Sequence, residues 1–154
     1  MMKRKSIFVF FCIALSAVFA SCAGKSGTSV YKFDFPKMDI TRAEGEAEAV
    51  KTEKRCLPKE PVQGEVRMYV EELLLGPESS RLLPIFSLDA TVDFCFMQGD
   101  DLYLGISESS VYNLGADVDI QSRIELLESN VHKNFKNIGQ ILLFIGDNFV
   151  MNKS

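Results

Sequence analysis

Few residues in this chain are of a type that does covalent chemistry. Its 154 residues include one His, no Trp and four Cys. A thiol nucleophile needs a base, and the pairing the sequence offers is Cys95 or Cys56 with His132. Cys95 stands between Phe94 and Phe96 in an alternating run, and His132 follows Glu128 by four positions. The plainer reading fits better: Cys95 packs as a small hydrophobe and His132 lies on the surface near Glu128. Asp100-Asp101 and Asp117-Val118-Asp119 bring the oxygen ligands that calcium takes. However, the first pair occupies a turn and the second a helix start, where Asp is expected for turns and caps. No Gly-rich phosphate loop, Ser elbow or zinc spacing of Cys and His is present. The sequence therefore implies no catalytic residue, no metal and no cofactor, and an enzyme is not expected. With a net charge of −4, nucleic acid is not an expected partner either.

One cysteine has a different prospect. Lys3, Arg4 and Lys5 precede an apolar run, IFVFFCIALSAVFA, that is shorter than the roughly 20 residues a spanning helix needs. A basic start, a short apolar stretch and small residues after it describe a secretory signal peptide. The junction Phe19-Ala20-Ser21-Cys22 resembles the lipobox of bacterial lipoproteins, with Phe19 where Leu is most common. That resemblance implies cleavage after residue 21, fatty acylation of Cys22 and a domain held outside the cytoplasm on a membrane. A cut after Ala20, leaving Cys22 an ordinary thiol, is the competing expectation. Two acyl chains suffice for stable anchoring, whereas one is marginal. The leader takes three of the 17 basic residues and none of the 21 acidic ones, so the mature chain is distinctly acidic. Cys12 leaves with it. Cys56 and Cys95 remain, and they could pair outside the cytoplasm but need not.

Any site must be positioned by the elements that follow. Residues 22–29 read as a flexible Gly/Ser tether. In residues 30–35, VYKFDF alternates as a short strand ended by Pro36. The charge-rich stretch 41–60 reads as a loop, or as a solvated edge strand near 50–57. From Pro61, Val62, Val66, Tyr69, Val70, Leu73 and Leu74 recur at helical spacing, and Gly76-Pro77 stops the helix. Gly64 inside that span suggests close packing or a later helix start. The apolar loop 78–90 should fold onto the core. TVDFCFM and residues 102–106 alternate around a Gly-Asp turn and predict a hairpin. Asp117 or Asp119 then caps a helix marked by Ile120, Ile124, Leu127, Val131 and Phe135. QILLFI reads as a buried strand, and a short apolar piece closes the chain. The expected core includes Val92, Phe94, Phe96, Leu104, Ile124, Leu127, Leu143 and Ile145.

The ordered set has a family likeness. Glu72-Leu73-Leu74-Leu75-Gly76-Pro77 resembles the leucine-rich helix ending in Gly-Pro that opens the GerMN domain of sporulation and spore-germination proteins. TVDFCFMQGDDLYLGISE is similar to that family's paired strands, and the stretches from Asn130 to Phe135 and from Ile141 to Gly146 resemble its final helix and strand. Gly105 stands where an acidic residue is common. The resemblance covers residues 61–151. It implies an α/β fold of order αββαβ, a small sandwich like the ring-building motifs of envelope assemblies. Its three-stranded sheet would carry two helices on one face, with extra N-terminal strands as a further element. The family brings no catalytic residues.

Two functional expectations follow. The first is a membrane-anchored envelope lipoprotein whose module associates with itself or with an envelope protein. The alternative is a lipoprotein that binds cell-wall material or a small solute. Alternation along the strands groups Asp93, Cys95, Met97 and Tyr103 on the sheet face away from the helices. That face is the expected interaction surface, unless residues 30–57 fold over it.

Overall fold

The computed structural model describes residues 27–38, 49–112, 114 and 118–150. The leader and Cys22 lie outside the described residues, as does Asp117. The chain forms β1 (Thr28–Pro36), β2 (Val50–Pro58), α1 (Glu65–Leu74), β3 (Val92–Gln98), β4 (Asp101–Ile106), a 3-10 turn (Glu108–Val111), α2 (Ile120–Asn134), β5 (Gln140–Ile145) and β6 (Asn148–Val150). From α1 to β5 this is the expected helix, strand, strand, helix, strand. The sheet differs from expectation: it has four strands in the order β3-β4-β5-β6, and β1 and β2 form a separate two-stranded sheet. The fourth strand is the short apolar piece after Asp147, which turns back antiparallel on β5. Within the charge-rich stretch, Val50–Pro58 is a strand as well, fully paired with β1.

Helix α1 starts after Gly64, not at Pro61. Gly64 sits at φ 88 as the N-cap residue, a left-handed backbone that other residues adopt only with strain. Its N–H still bonds the Pro61 carbonyl at 3.0 Å, so residues 61–64 form a turn that leaves Val62 in solvent. Asp119 caps α2 by accepting from the Gln121 N–H at 3.1 Å. The loop after α1 folds inward as expected, burying Leu82, Ile85 and Phe86.

Strands β4 and β5 run parallel, and α2 makes the crossover between them. Leu102, Leu104 and Ile106 on β4 and Ile141, Leu143 and Ile145 on β5 bury the inner face of the sheet. Met68, Tyr69, Leu73 and Leu74 of α1 and Ile124, Leu127 and Val131 of α2 share that core with Tyr31, Phe33 and Phe35 of the first hairpin. The hairpin is held to α1 by aromatic contact: Tyr69 stacks on Phe33 at 4.6 Å and meets Phe135 edge-on at 5.4 Å.

Polar contacts fix the hairpin's place. The Arg55 guanidinium is buried, donates to the Gly76 carbonyl at 2.7 Å and to Glu72 Oε1 at 2.9 Å, and lies over the Phe33 ring. It thus supplies a partner for carbonyls left open at the C-terminal end of α1. Along the free edge of β1, the side chains of Asn130 and Asn134 bond the backbone of Asp34 and Lys32. The Leu83 N–H continues that edge by donating to the Pro36 carbonyl at 2.8 Å.

Candidate functional site: the outer face of the four-stranded sheet

The register of the β3–β4 pair decides which side chains share a face. Val92 lies opposite Ile106, but Phe94 lies opposite Gly105, so Asp93 is an extra residue on β3. Such a bulge turns every following side chain to the other face. Unbroken alternation would keep Val92, Phe94 and Phe96 together in the core. Only Val92 is buried there; Phe94 is half-buried and Phe96 is 51% exposed, both on the outer face. Leu104, Ile124, Leu127, Leu143 and Ile145 are buried as expected.

The same bulge divides the four residues expected on one interaction face. Cys95 pairs with Leu104 and Met97 with Leu102, which turns both to the core side, where Cys95 is half-buried and Met97, on the edge strand, stays 39% exposed. Tyr103 pairs with Phe96 on the outer side, and Asp93 sits exposed at the bulge. Of the expected set, Tyr103 and Asp93 keep a place at the outer surface. Phe94, Phe96, Phe144 and Phe149 replace the other two.

These rings form a continuous row. Phe96 stacks on Tyr103 with centroids 5.1 Å apart and planes 3° from parallel. Phe94 stands 5.9 Å from Phe96 and 5.5 Å from Phe144. Phe144 stands 5.2 Å from Phe149, which is 48% exposed. The row therefore crosses all four strands. Gly105 makes its centre possible: a Cβ built there would overlap the Phe94 ring. The missing side chain at Gly105 is what lets Phe94 lie flat on β4.

The sheet's charges all have one sign. Residues 92–106 and 140–150 contain Asp93, Asp100, Asp101 and Asp147 and no Lys or Arg. This face thus presents apolar rings inside an acidic border. Cations over ring faces and basic side chains at the border complement such a surface.

The residues of possible chemistry are disposed otherwise. Burial pushes the Cys95 thiol up to about 11, with the Arg67 charge only partly opposing it. A nucleophilic cysteine requires the reverse. Cys56 is an exposed free thiol on the first hairpin, and Cys95 is a free thiol on the other sheet, so the two are not joined. His132 is on α2 and half-buried. Among the described residues, no three His, Cys, Asp or Glu side chains converge to hold a metal. No helix of the described residues is long and apolar enough to cross a membrane.

The chain's fold has known counterparts. It is similar to the tandem GerMN domains of the sporulation protein GerM from Bacillus subtilis, with a TM-score of 0.53 and 12% identity over 84% of this chain and 43% of that one. It is also similar to a candidate lipoprotein from Clostridium perfringens, with a TM-score of 0.47 and 14% identity over 80% and 78% of the two chains. The first likeness shows a GerMN-like fold, and the chain spans less than half of that tandem protein. No family model matches the sequence. No curated protein matches it.

Proposed function

We propose that this chain is a membrane-anchored envelope lipoprotein whose GerMN-like module works by protein–protein association and carries no catalysis. The observation that carries the proposal is the row from Tyr103 to Phe149 on the outer sheet face. Leu142 and Phe144 of β5 lie on that face and are only partly covered, although β5 is flanked by strands on both sides. An inner strand of that composition is ordinarily covered on both faces. The first hairpin does not supply the cover, because its rings meet Tyr69 and Phe135. A contiguous exposed apolar patch rimmed by polar residues is the usual mark of an interaction site. The acidic border favours a protein surface with basic side chains at its edge.

The anchor rests on the sequence around Cys22. Cys22→Ser should abolish labelling by a fatty-acid probe and release the domain from membranes, and unchanged labelling would refute the anchor. Association is tested by placing a photocrosslinking amino acid at Phe96 in intact cells, with exposed Leu88 as the control position. A discrete crosslinked product from Phe96 and none from Leu88 supports the reading; equal or absent crosslinking from both overturns it.

A further inference from the structure

We propose that the outer face of the first hairpin, carrying Val30, Lys32, Lys54 and Cys56, lies against an anionic lipid bilayer. The inference rests on anchoring through Cys22 and adds the orientation in which the anchored domain is held.

The length of the tether is the first argument. From Cys22 to Thr28, where β1 begins, the chain reaches at most about 20 Å even when fully extended. The headgroup layer on one side of a bilayer takes about 5–8 Å of that reach. The end of the hairpin that carries Thr28 and Pro58 is therefore held no more than about 12–15 Å above the headgroups, which keeps this face of the domain within reach of the bilayer. That end is closed by the Lys59 N–H donating to the Gly27 carbonyl at 2.9 Å.

Charge and exposure supply the second argument. Tyr31, Phe33 and Phe35 point into the core, so Val30 and Lys32 point the other way, directly opposite Cys56 and Lys54. All four are exposed, Val30 at 64%. Like charges opposite one another on paired strands repel, and Lys32 faces Lys54 across the pair with no carboxylate of the described residues paired to either. The acid further along this face, Asp34, is held by Lys133 at 2.6 Å. Lys59 adds a third exposed lysine at the tether end. In an otherwise acidic chain, this hairpin face is cationic with an apolar residue at its centre, which fits anionic headgroups. It also leaves the aromatic face of the other sheet available to a protein.

Cys56 provides a native reporter at the middle of the face. Acylation consumes the Cys22 thiol, and the half-buried Cys95 reacts slowly, so a thiol-reactive fluorophore attaches at Cys56. The labelled lipoprotein is reconstituted in vesicles of phosphatidylcholine, or of phosphatidylcholine and phosphatidylglycerol in equal parts, each with a trace of headgroup-nitroxide lipid. Each lysine near an anionic surface favours the docked orientation roughly fivefold. Quenching should therefore be several-fold stronger on the anionic vesicles, and it should fall to the neutral level in high salt and in Lys32→Glu/Lys54→Glu. Equal quenching on both vesicles, with acylation verified by a fatty-acid probe, overturns the orientation and leaves the anchor standing. A chain recovered without acyl label overturns both.

Discussion

Asn130 holds the backbone of Asp34, 96 positions earlier in the chain, as a neighbouring strand would. Its Oδ1 accepts the Asp34 N–H at 2.7 Å, and its Nδ2 donates to the Asp34 carbonyl at 3.0 Å. One turn further along α2, Asn134 repeats the arrangement on Lys32, at 2.9 Å and 2.8 Å. The helix thus closes the edge of β1 with carboxamides, where an open edge would invite another strand. Tyr69 joins the cluster by donating to the Lys32 carbonyl at 2.9 Å.

This cluster yields the first prediction. Asn130→Ala leaves a buried N–H and a buried carbonyl of β1 without partners, each costing about 1–3 kcal/mol. Chemical denaturation should show a loss of about 2–4 kcal/mol, and a smaller loss for the more exposed Asn134→Ala. Equal and small losses would mean that the carboxamide pairing does not hold the hairpin.

The second prediction separates the two aromatic groups. Phe33 is fully buried between Tyr69 and Arg55, so Phe33→Ala should cost about 3–5 kcal/mol. Phe96 is half exposed, and Phe96→Ala should cost less than about 1 kcal/mol. Similar costs measured in urea would place Phe96 in the core after all.

Gly105 and Phe94 give the third. Gly105→Ala pushes a methyl group into the Phe94 ring, and overpacking of this kind costs about 1–3 kcal/mol. In a Phe94→Ala background the obstacle is gone, so the cost should nearly vanish. A double-mutant cycle reads the coupling, and additive costs would contradict the packing.

The fourth concerns acid. Burial disfavours the charge on Glu53, but the Arg55 guanidinium and the N–H groups of Glu78 and Ser79 outweigh it and hold its pKa below the ordinary 4.5. A carboxylate depressed on folding contributes stability that is complete above its unfolded pKa and is lost as the pH falls through the folded value. Glu53→Gln should therefore destabilise near neutrality and converge with the parent protein well below pH 4.5. Thermal melts across that range provide the check. A constant difference would show that Glu53 acts by packing and not by charge.

How much of this was legible from the sequence depends on what fixed each feature. The element order from α1 to β5 follows from hydrophobic period, the Gly76-Pro77 stop and the Asp119 cap, all of them local signals. The bulge at Asp93 has no such signal: TVDFCFM alternates perfectly, and only pairing with β4 reveals the extra residue. Cys95 and Met97, both assigned to the outer face, therefore turn to the core side, where Cys95 packs and Met97 stays 39% exposed at the sheet edge, and Phe94 and Phe96 turn outward. Gly105 held the one usable hint, because a strand glycine often marks a close approach. Arg55 was hidden in a charge-rich stretch that reads as solvated, since nothing local shows that a guanidinium will meet Glu72 and the end of a helix. Phe149 sat in an apolar piece too short to assign to a face before β6 was seen to pair with β5.

The central claim, that the outer aromatic face binds protein, is tested most directly by Phe96→Asp in intact cells, read as the yield of complexes trapped by a bifunctional amine-reactive crosslinker. Phe96 is exposed enough for the charge to be tolerated, so the melting temperature of the purified variant should stay near that of the parent. A folded Phe96→Asp protein that forms no complexes is the predicted result. A folded variant whose complexes persist at the parental yield would contradict the account.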